Sequence, residues 1–325
     1  MSFPASNGPC ALTIGNFDGV HLGHQAILAR VRDAAAAREL SPAVMTFEPH
    51  PKEYFAHLRG QPELAPARIY TLRDRLAAIR ACGIRQISLQ RFNAHLAAMP
   101  AEAFVTDLLA DSLQARWLLV GRDFRFGHQR RGNIELLREL GPQHGIEVEV
   151  MEDVTDPAGL RISSSDIRQA LAEGNLDNAK AHLGRAWTIS GHVLHGRKLG
   201  RTLGFPTMNI RPPARCAARA GVYIVRIHGL DDAPFAGVAN LGMRPTVDQS
   251  RRMVLEVHAL TEPDPLLARD PAFSKARLQA YGKLVRIEFL QLLRDELRFS
   301  DLDSLTAAIQ NDVRLAYDYF SRHGL

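Results

Sequence analysis

The sequence predicts an α/β fold in two parts, a parallel sheet with helices on both faces and then a small antiparallel β-barrel closed by a C-terminal helix. Strand-like and helix-like segments alternate over the first half of the 325 residues. Short β-rich runs separated by glycine and proline occupy much of the second half, and a helical apolar stripe follows them. With 46% hydrophobic residues the chain can form two packed cores, and its length suits about two domains.

The elements of the first half follow from apolar spacing and from the residues that end each run. Gly83 and the pair Gly141-Pro142 are typical of positions just beyond helices. The predicted strands are 10–14, 42–47, 84–89, 117–120 and 146–150, and the predicted helices are 25–40, 72–82, 101–113 and 134–140. Such alternation is typical of a parallel sheet covered by helices on both faces.

The pattern changes between Gly174 and Trp187, from amphipathic helices to short strand-like runs. We therefore expect two domains, 1–184 and 185–325. The predicted barrel includes a run from Ile189 and the runs 221–227, 235–241 and 253–260, and the predicted closing helix is 305–320.

The most informative segment, Thr13 to His24, reads TIGNFDGVHLGH and joins the first strand to the first helix. A helix N-terminus offers unpaired N–H groups and a partial positive charge. Gly23 lets the backbone approach closely, and His21 and His24 can donate to phosphoryl oxygens. The segment therefore predicts a nucleotide-phosphate site. A surface histidine pair or two metal ligands would explain the histidines, but not the preceding Gly-Asn-Phe-Asp-Gly.

Composition and absent motifs exclude several classes. The sequence has neither GxxxxGK[ST] nor GxGxxG, which argues against P-loop kinases and dehydrogenases. Cys10, Cys82 and Cys216 lack metal or redox spacing, so we expect a reducing compartment. No signal-like segment and no apolar run of about 18 residues is present, so a soluble, cytoplasmic protein is expected. The net charge of +5 is spread along the chain and suits polyphosphate substrates as well as nucleic acid.

Other polar segments follow strands of the first half, at the sheet edge where such folds bind ligands. They are Glu48–Pro51, Gly121–Gly127 and Arg161–Arg168. In the last, Ser163 or Ser164 can cap a helix that places Arg168 on the same face as Ser164, so hydroxyl and guanidinium would meet one phosphate. A plain helix cap and a solvated arginine would explain the same residues.

The second half has two candidate features. Glycines at 191, 196, 200 and 204 precede Pro206, Thr207 and Asn209, so backbone amides could bind phosphates while the Thr207 hydroxyl and Asn209 amide oxygen face Mg²⁺. Hairpin turns would explain the same glycines. In the strand 253–260, Glu256 is either a solvated outer-face residue or a general base, and periodicity does not choose between them.

Eight motifs resemble, in order, the pattern of the bacterial bifunctional riboflavin kinase/FAD synthetase family. The resemblance covers nearly the whole chain. The motifs are GNFDGVHLGH at 15–24, TFEPHP at 46–51, GRDFRFG at 121–127, SSSDIR at 163–168, GFPTMN at 204–209, GVY at 221–223, NLGMRPT at 240–246 and LEVH at 255–258.

This resemblance implies two ATP- and Mg²⁺-dependent reactions. A Rossmann-like nucleotidylyltransferase domain at the N-terminus would transfer AMP from ATP to FMN, giving FAD and pyrophosphate. The C-terminal barrel would phosphorylate riboflavin to FMN. The implied partners are the small molecules riboflavin, FMN and ATP, with no nucleic acid or membrane.

The resemblance also implies roles for individual residues. The catalytic residues would be His21, His24, Arg168 and Glu256. The nucleotide- and flavin-binding residues would be Gly15, Phe17, Asp18, Gly23, Asp123, Ser163, Ser164, Gly196, Gly204 and Pro206. Thr207 and Asn209 would bind Mg²⁺ together with ATP. Glu48–Pro51 and Asp123–Gly127 could contact either flavin or ATP, so the flavin contacts of the first domain stay open.

The chain departs from the family pattern at Asp166 and over 261–280. The long segment contains three prolines and is expected to be an exposed, neutral insertion, although it lies close to Glu256 in sequence. An adenylyltransferase for another substrate would explain the first domain but not Pro206–Asn209 or Glu256. A non-catalytic flavin-binding or RNA-regulatory protein is favoured only by the charge.

Overall fold

The computed structural model describes residues 8–152, 154–155, 159, 161–195, 204–245, 251–260 and 280–325. Gly196 and positions 261–279 of the expected insertion lie outside the described residues. The chain forms two compact units: residues up to Pro66 with Arg75–Ser164, and Ala67–Asp74 with Ser165–Leu325. The second unit thus includes 67–74 and 165–184, which we had assigned to the first domain, and the boundary at 184/185 stays a prediction.

The first unit contains the predicted parallel sheet. Its strands are β1 (Cys10–Ile14), β2 (Ser41–Glu48), β3 (Gln86–Arg91), β4 (Ala115–Gly121) and β5 (Glu147–Met151), in the order β3-β2-β1-β4-β5. All neighbouring pairs are parallel. The carboxyl ends of the strands therefore lie at one edge, as the sequence predicts.

Helices cover both faces of this sheet. They are α1 (Leu22–Ala37), α2 (Pro51–Leu58), α3 (Leu72–Ala81), α4 (Ala94–Ala97), α5 (Ala101–Ala103), which continues as a π-helix over Phe104–Ser112, and α6 (Ile134–Gln143). On one face Leu12 packs with Leu108 and Leu137, and on the other Ala11 packs with Leu28. Successive residues of β1 point to opposite faces, so this buried strand separates two apolar cores.

Several helix bounds differ from prediction. Helix α1 begins at Leu22 rather than Gln25, because His21 provides the N-cap, and it ends before Glu39, whose φ of 55° is left-handed. Helix α2 was not predicted. The predicted helix at 134–140 continues through Pro142 to Gln143. The chain then forms α7 (Ser164–Glu173) and α8 (Leu176–Leu183).

The second unit contains a nearly closed antiparallel barrel. Its strands are β6 (Thr188–His192), β7 (Met208–Ile210), β8 (Gly221–His228), β9 (Phe235–Pro245), β10 (Arg251–Ala259) and β11 (Leu284–Asp295), in the order β6-β11-β8-β9-β10-β7. The Leu194 amide donates to the Asn209 carbonyl at 2.8 Å, which joins the two ends of the sheet. The predicted barrel is confirmed.

The final helix, α9 (Leu302–His323), covers an outer face of the barrel. Val313 and Ala316 of α9 pack with Val222 of β8 and Val238 of β9 in an apolar cluster. The predicted closing helix is therefore confirmed, with three more residues at each end. In the described part of the chain, every helix is too short or too polar to cross a lipid bilayer.

Candidate active sites

The loop between β1 and α1 has a constrained backbone. Phe17, Gly19 and Val20 have φ values of 50°, 87° and 44°, in the left-handed region. Only glycine adopts that region without strain, and a β-branched valine is especially disfavoured there. Phe17 and Val20 are buried in the apolar core, which holds them in place. Strain maintained by packing is typical of a functional loop.

The two predicted histidines lie together at the start of α1. His21 caps the helix, with its Nδ1 3.4 Å from the His24 amide, and the two rings stack at 3.7 Å between centroids. The centroid of the Phe17 ring lies 5.0 Å from that of the His24 ring. A Cβ on Gly23 would come within 3.2 Å of the His21 ring, so glycine makes room for this stack. The histidines therefore share the electropositive helix end with its backbone N–H groups.

The start of α7 contacts the same loop. Ser164 Oγ donates to the Asp18 carbonyl at 3.0 Å, and Ser163 precedes the first residue of the helix. Asp18 is 2% exposed. The structure thus brings the predicted residues of the first loop and the serine motif together, on the carboxyl side of the sheet.

Two other predicted residues occupy different surroundings. Asp123 is exposed on the segment after β4 and pairs with Arg161 at 3.0 Å. Arg168 lies one helical turn after Ser164 on α7, and its Nε donates to the Ala67 carbonyl at 2.7 Å. Neither contact involves the histidines, so the binding role of Asp123, toward flavin or ATP, and the phosphate role of Arg168 stay predictions.

The segment after β2 has a structural role that the sequence analysis missed. The Glu48–Pro49 peptide bond is cis. His50 is 5% exposed and caps α2, because its Nδ1 accepts from the Lys52 amide at 3.1 Å. Glu53 completes the capping box. A capping box beginning with histidine is uncommon, and for that reason the sequence pattern suggested only a loop.

Aromatic side chains gather beside this segment. The Phe92 ring, which follows β3, lies 5.8 Å from Phe47, 5.4 Å from Tyr54 and 5.7 Å from Phe55. Each pair meets edge to face, the usual geometry of aromatic packing. Phe55 is 38% exposed, so part of the group faces solvent and offers a surface on which a planar ring can stack.

In the barrel, polar side chains form a row across three strands. Glu256 of β10 lies directly opposite Asn209 of β7 and, on its other side, opposite Asn240 of β9. Directly opposed residues of antiparallel strands project from the same face, with their Cβ atoms roughly 5 Å apart. All three side chains are half-buried. This register places a carboxylate between two amides, and Asn240 was not among the predicted site residues.

The Pro206–Asn209 segment is tied to the same strand. His258 is 5% exposed, and its Nδ1 donates to the Pro206 carbonyl at 3.1 Å. The His258 ring also meets Phe205 edge to face at 5.6 Å. Gly204, with φ of 84°, supplies the left-handed turn before this segment. Thr207 directly follows Pro206 and is therefore held close to β10.

Metal ligation by the histidine pair finds no support in the part of the chain that the structure describes. Those residues contain no group of three or more histidines, cysteines or acidic residues placed to hold a metal ion. The hydroxyl oxygen of Thr207 and the amide oxygen of Asn209 are a different donor set, one that suits a hard cation such as Mg²⁺.

Comparison with known families assigns the two halves separately. The FAD synthetase family model matches residues 3–166, and the riboflavin kinase family model matches residues 183–320. The first range contains the histidine loop and the serines, and the second contains the row of Asn209, Glu256 and Asn240. Each site thus lies within a different matched family.

Individual relatives match both halves together. The bifunctional riboflavin kinase/FMN adenylyltransferase of Escherichia coli strain K12 is 40% identical over 311 residues, covering 96% of this chain and 93% of the relative. That of Haemophilus influenzae is 38% identical and covers 96% and 94%. A crystal structure described as a macrolide-efflux protein from Streptococcus pneumoniae has a TM-score of 0.74 at 27% identity, covering 97% and 95%. The chain belongs to the family of bifunctional riboflavin kinases/FMN adenylyltransferases.

Proposed function

We propose that the two activities of this enzyme use the two sites described above. FMN adenylylation would occur at the loop after β1, and riboflavin phosphorylation at the row of Asn209, Glu256 and Asn240. The observation that supports this most strongly is the pairing of site and family: the stacked histidines lie in the FAD synthetase range, and Glu256 lies in the riboflavin kinase range.

In the adenylyltransferase reaction, a phosphate oxygen of FMN attacks the α-phosphorus of ATP and the bond to pyrophosphate breaks. The FMN phosphate is already ionised at neutral pH, so no strong base is needed. Catalysis then depends on alignment and on stabilising the pyrophosphate that leaves. His21, His24 and the first N–H groups of α1 would donate to those oxygens, and the position of both histidines at the N-terminus of α1 supports this role. Arg168 stays a predicted phosphate ligand.

In the kinase reaction, Glu256 would accept the proton of the terminal ribityl hydroxyl as that oxygen attacks the γ-phosphorus of ATP. Phosphoryl transfer depends mainly on positioning and on charge stabilisation, so the base contributes to turnover more than to binding. Thr207 and Asn209 would hold Mg²⁺ with ATP, and the ion would neutralise charge on the phosphate oxygens. The strand register, with Asn209 opposite Glu256, supports this assignment.

The proposed substrates are riboflavin, FMN and ATP, the proposed metal is Mg²⁺, and the proposed location is the cytoplasm. No nucleic-acid or membrane partner is included. The names of the relatives support the flavin substrates. The +5 charge, spread along the chain, is compatible with a small polyphosphate substrate.

The test is to supply the purified chain with riboflavin, ATP and Mg²⁺ and to separate the flavins chromatographically, alongside His24→Ala and Glu256→Gln variants. The parent should produce FMN and then FAD. His24→Ala should stop at FMN, and Glu256→Gln should make FAD only when FMN is supplied. If one substitution removed both conversions, the assignment of two separate sites would be wrong.

A further inference from the structure

Arg75 is a buried cation at the adenylyltransferase loop. It lies on α3, and its side chain is 1% exposed. Its Nη1 donates to the Asn16 carbonyl at 3.2 Å, and its Nη2 donates to the Phe47 carbonyl at 3.0 Å and to Glu48 Oε2 at 2.7 Å. One guanidinium therefore joins the loop after β1 to the end of β2.

The Asn16 carbonyl is hydrogen-bonded from two sides. It also accepts from the Thr46 hydroxyl at 3.3 Å, so β2 and α3 both fix the residue that precedes the strained Phe17. The Asn16 Oδ1 is buried and, among the residues described, has no hydrogen-bond partner. Buried polar atoms are nearly always bonded, so this amide is available to a bound substrate while its backbone is held.

A guanidinium is suited to fixing the positions of two backbone carbonyls. Its planar fork can donate to several oxygens at once in fixed directions, whereas an ammonium is a compact charge on a flexible stem. A buried arginine is stable only when its donors are bonded, so Arg75 favours the loop geometry that supplies the two carbonyls. The arrangement requires Phe47, Asn16 and Arg75 to keep their relative positions.

We propose that Arg75 is a positioning residue of the adenylyltransferase site. It holds the backbone of Asn16 against the end of β2 and thereby sets the strained loop that carries Phe17 and leads to His21 and His24. Arg75 acts through the loop and exchanges no proton or bond with the substrates. This inference rests on the assignment of FMN adenylylation to that loop, and it adds a residue that the family pattern of motifs did not include.

The experiment compares Arg75→Met, Arg75→Lys and the matched control Arg80→Met, an exposed arginine on the same helix. Each chain is assayed for FAD formation from FMN and ATP, and for riboflavin phosphorylation as an internal measure of folding. For Arg75→Met we expect kcat of FAD formation to fall roughly 10- to 100-fold, with smaller changes in KM, because misplaced groups cost turnover. Arg75→Lys should restore part of that kcat, and Arg80→Met should match the parent.

The outcomes separate the inference from the proposed function. If the parent makes no FAD from FMN, the proposed function fails. If the parent makes FAD and both Arg75 variants keep its kcat, the positioning role fails. A variant in which kcat for FAD formation and kinase activity fall together, in Arg75→Lys as well as in Arg75→Met, would indicate general instability and would also overturn the proposal.

Discussion

Asp74 is a buried carboxylate that joins α3 to the barrel strand β6. Its Oδ2 accepts from the Thr71 hydroxyl at 2.6 Å and from the Ser190 amide at 3.0 Å. Burial raises the pKa of Asp74 above its ordinary value of 3.8, and hydrogen bonds from Ser190 and Thr71 oppose that rise only in part. The ionised carboxylate is therefore less favourable in the folded chain than in the unfolded one.

This pKa shift predicts a difference in pH dependence between the parent and Asp74→Asn. Because the folded-state pKa is raised, protonation of Asp74 favours the folded parent, and the advantage is complete below the unfolded pKa. The free energy of unfolding of the parent minus that of the variant should rise as the pH falls toward 3.8 and then level off. Urea unfolding at a series of pH values measures it, with Asp177→Asn, an exposed residue of α8, as control. A difference that does not vary with pH would contradict the shift.

At the residue scale, the residues proposed for catalysis could be found from sequence motifs, whereas the residue proposed to position them could not. His21, His24 and Glu256 belong to motifs, and the structure places them on a helix end and a strand face as expected. Arg75 belongs to no motif, and its partners are two backbone carbonyls that no residue pattern encodes. One signal was present, since Arg75 shares the helical spacing of Leu72 and Ile79 and so places a charge on an apolar face.

Helix α9 is attached to strand β11 by a buried ion pair. Asp312 is 2% exposed, and Arg294 binds both of its carboxylate oxygens, from Nε at 3.0 Å and from Nη2 at 2.7 Å. Such a two-point contact fixes both distance and orientation. This ion pair and the apolar cluster together therefore fix the position of α9 on the barrel.

Removing one partner of this pair should be costly. For Asp312→Ala we expect a loss of about 3 kcal/mol in the free energy of unfolding, because a largely buried guanidinium loses its counter-charge. The matched control is Asp318→Ala on the same helix, where the pair with Arg314 is exposed and should contribute less than about 1 kcal/mol. Chemical denaturation of both variants measures the losses, and equal values would mean that burial does not decide the strength of the pair.

At the element scale, the sequence predicted the parallel sheet in full and the barrel in part. Strand β11, the longest one described, was missed although Val285, Ile287 and Phe289 alternate with polar residues and point into the barrel. This alternation is a strand signal in its own right, so β11 could have been predicted from the sequence. Helix α2 was missed because its cap is a histidine rather than Ser, Thr, Asp or Asn, although a proline at the first position is a common helix start.

At the scale of the whole molecule, the two proposed sites predict that a variant lacking one activity can complement a variant lacking the other. A mixture of His24→Ala and Glu256→Gln proteins should convert riboflavin to FAD, because FMN released by the first variant can be adenylylated by the second. A lag that shortens as the enzyme concentration rises would be the expected kinetic signature. Flavin chromatography over time measures it, with each variant alone as control. FMN accumulation without FAD in the mixture would mean that the intermediate does not pass between molecules.

The second compact unit is assembled from two distant stretches of sequence. The Trp187 indole donates to the Ile69 carbonyl at 2.8 Å across 118 positions of sequence, and the Arg68 amide donates to the Arg215 carbonyl. A ribosome makes residues 67–74 long before those partners exist. During synthesis, residues 67–74 therefore emerge before the barrel residues to which they bond. Dividing the gene once between the two halves would place this stretch and the barrel on different polypeptides.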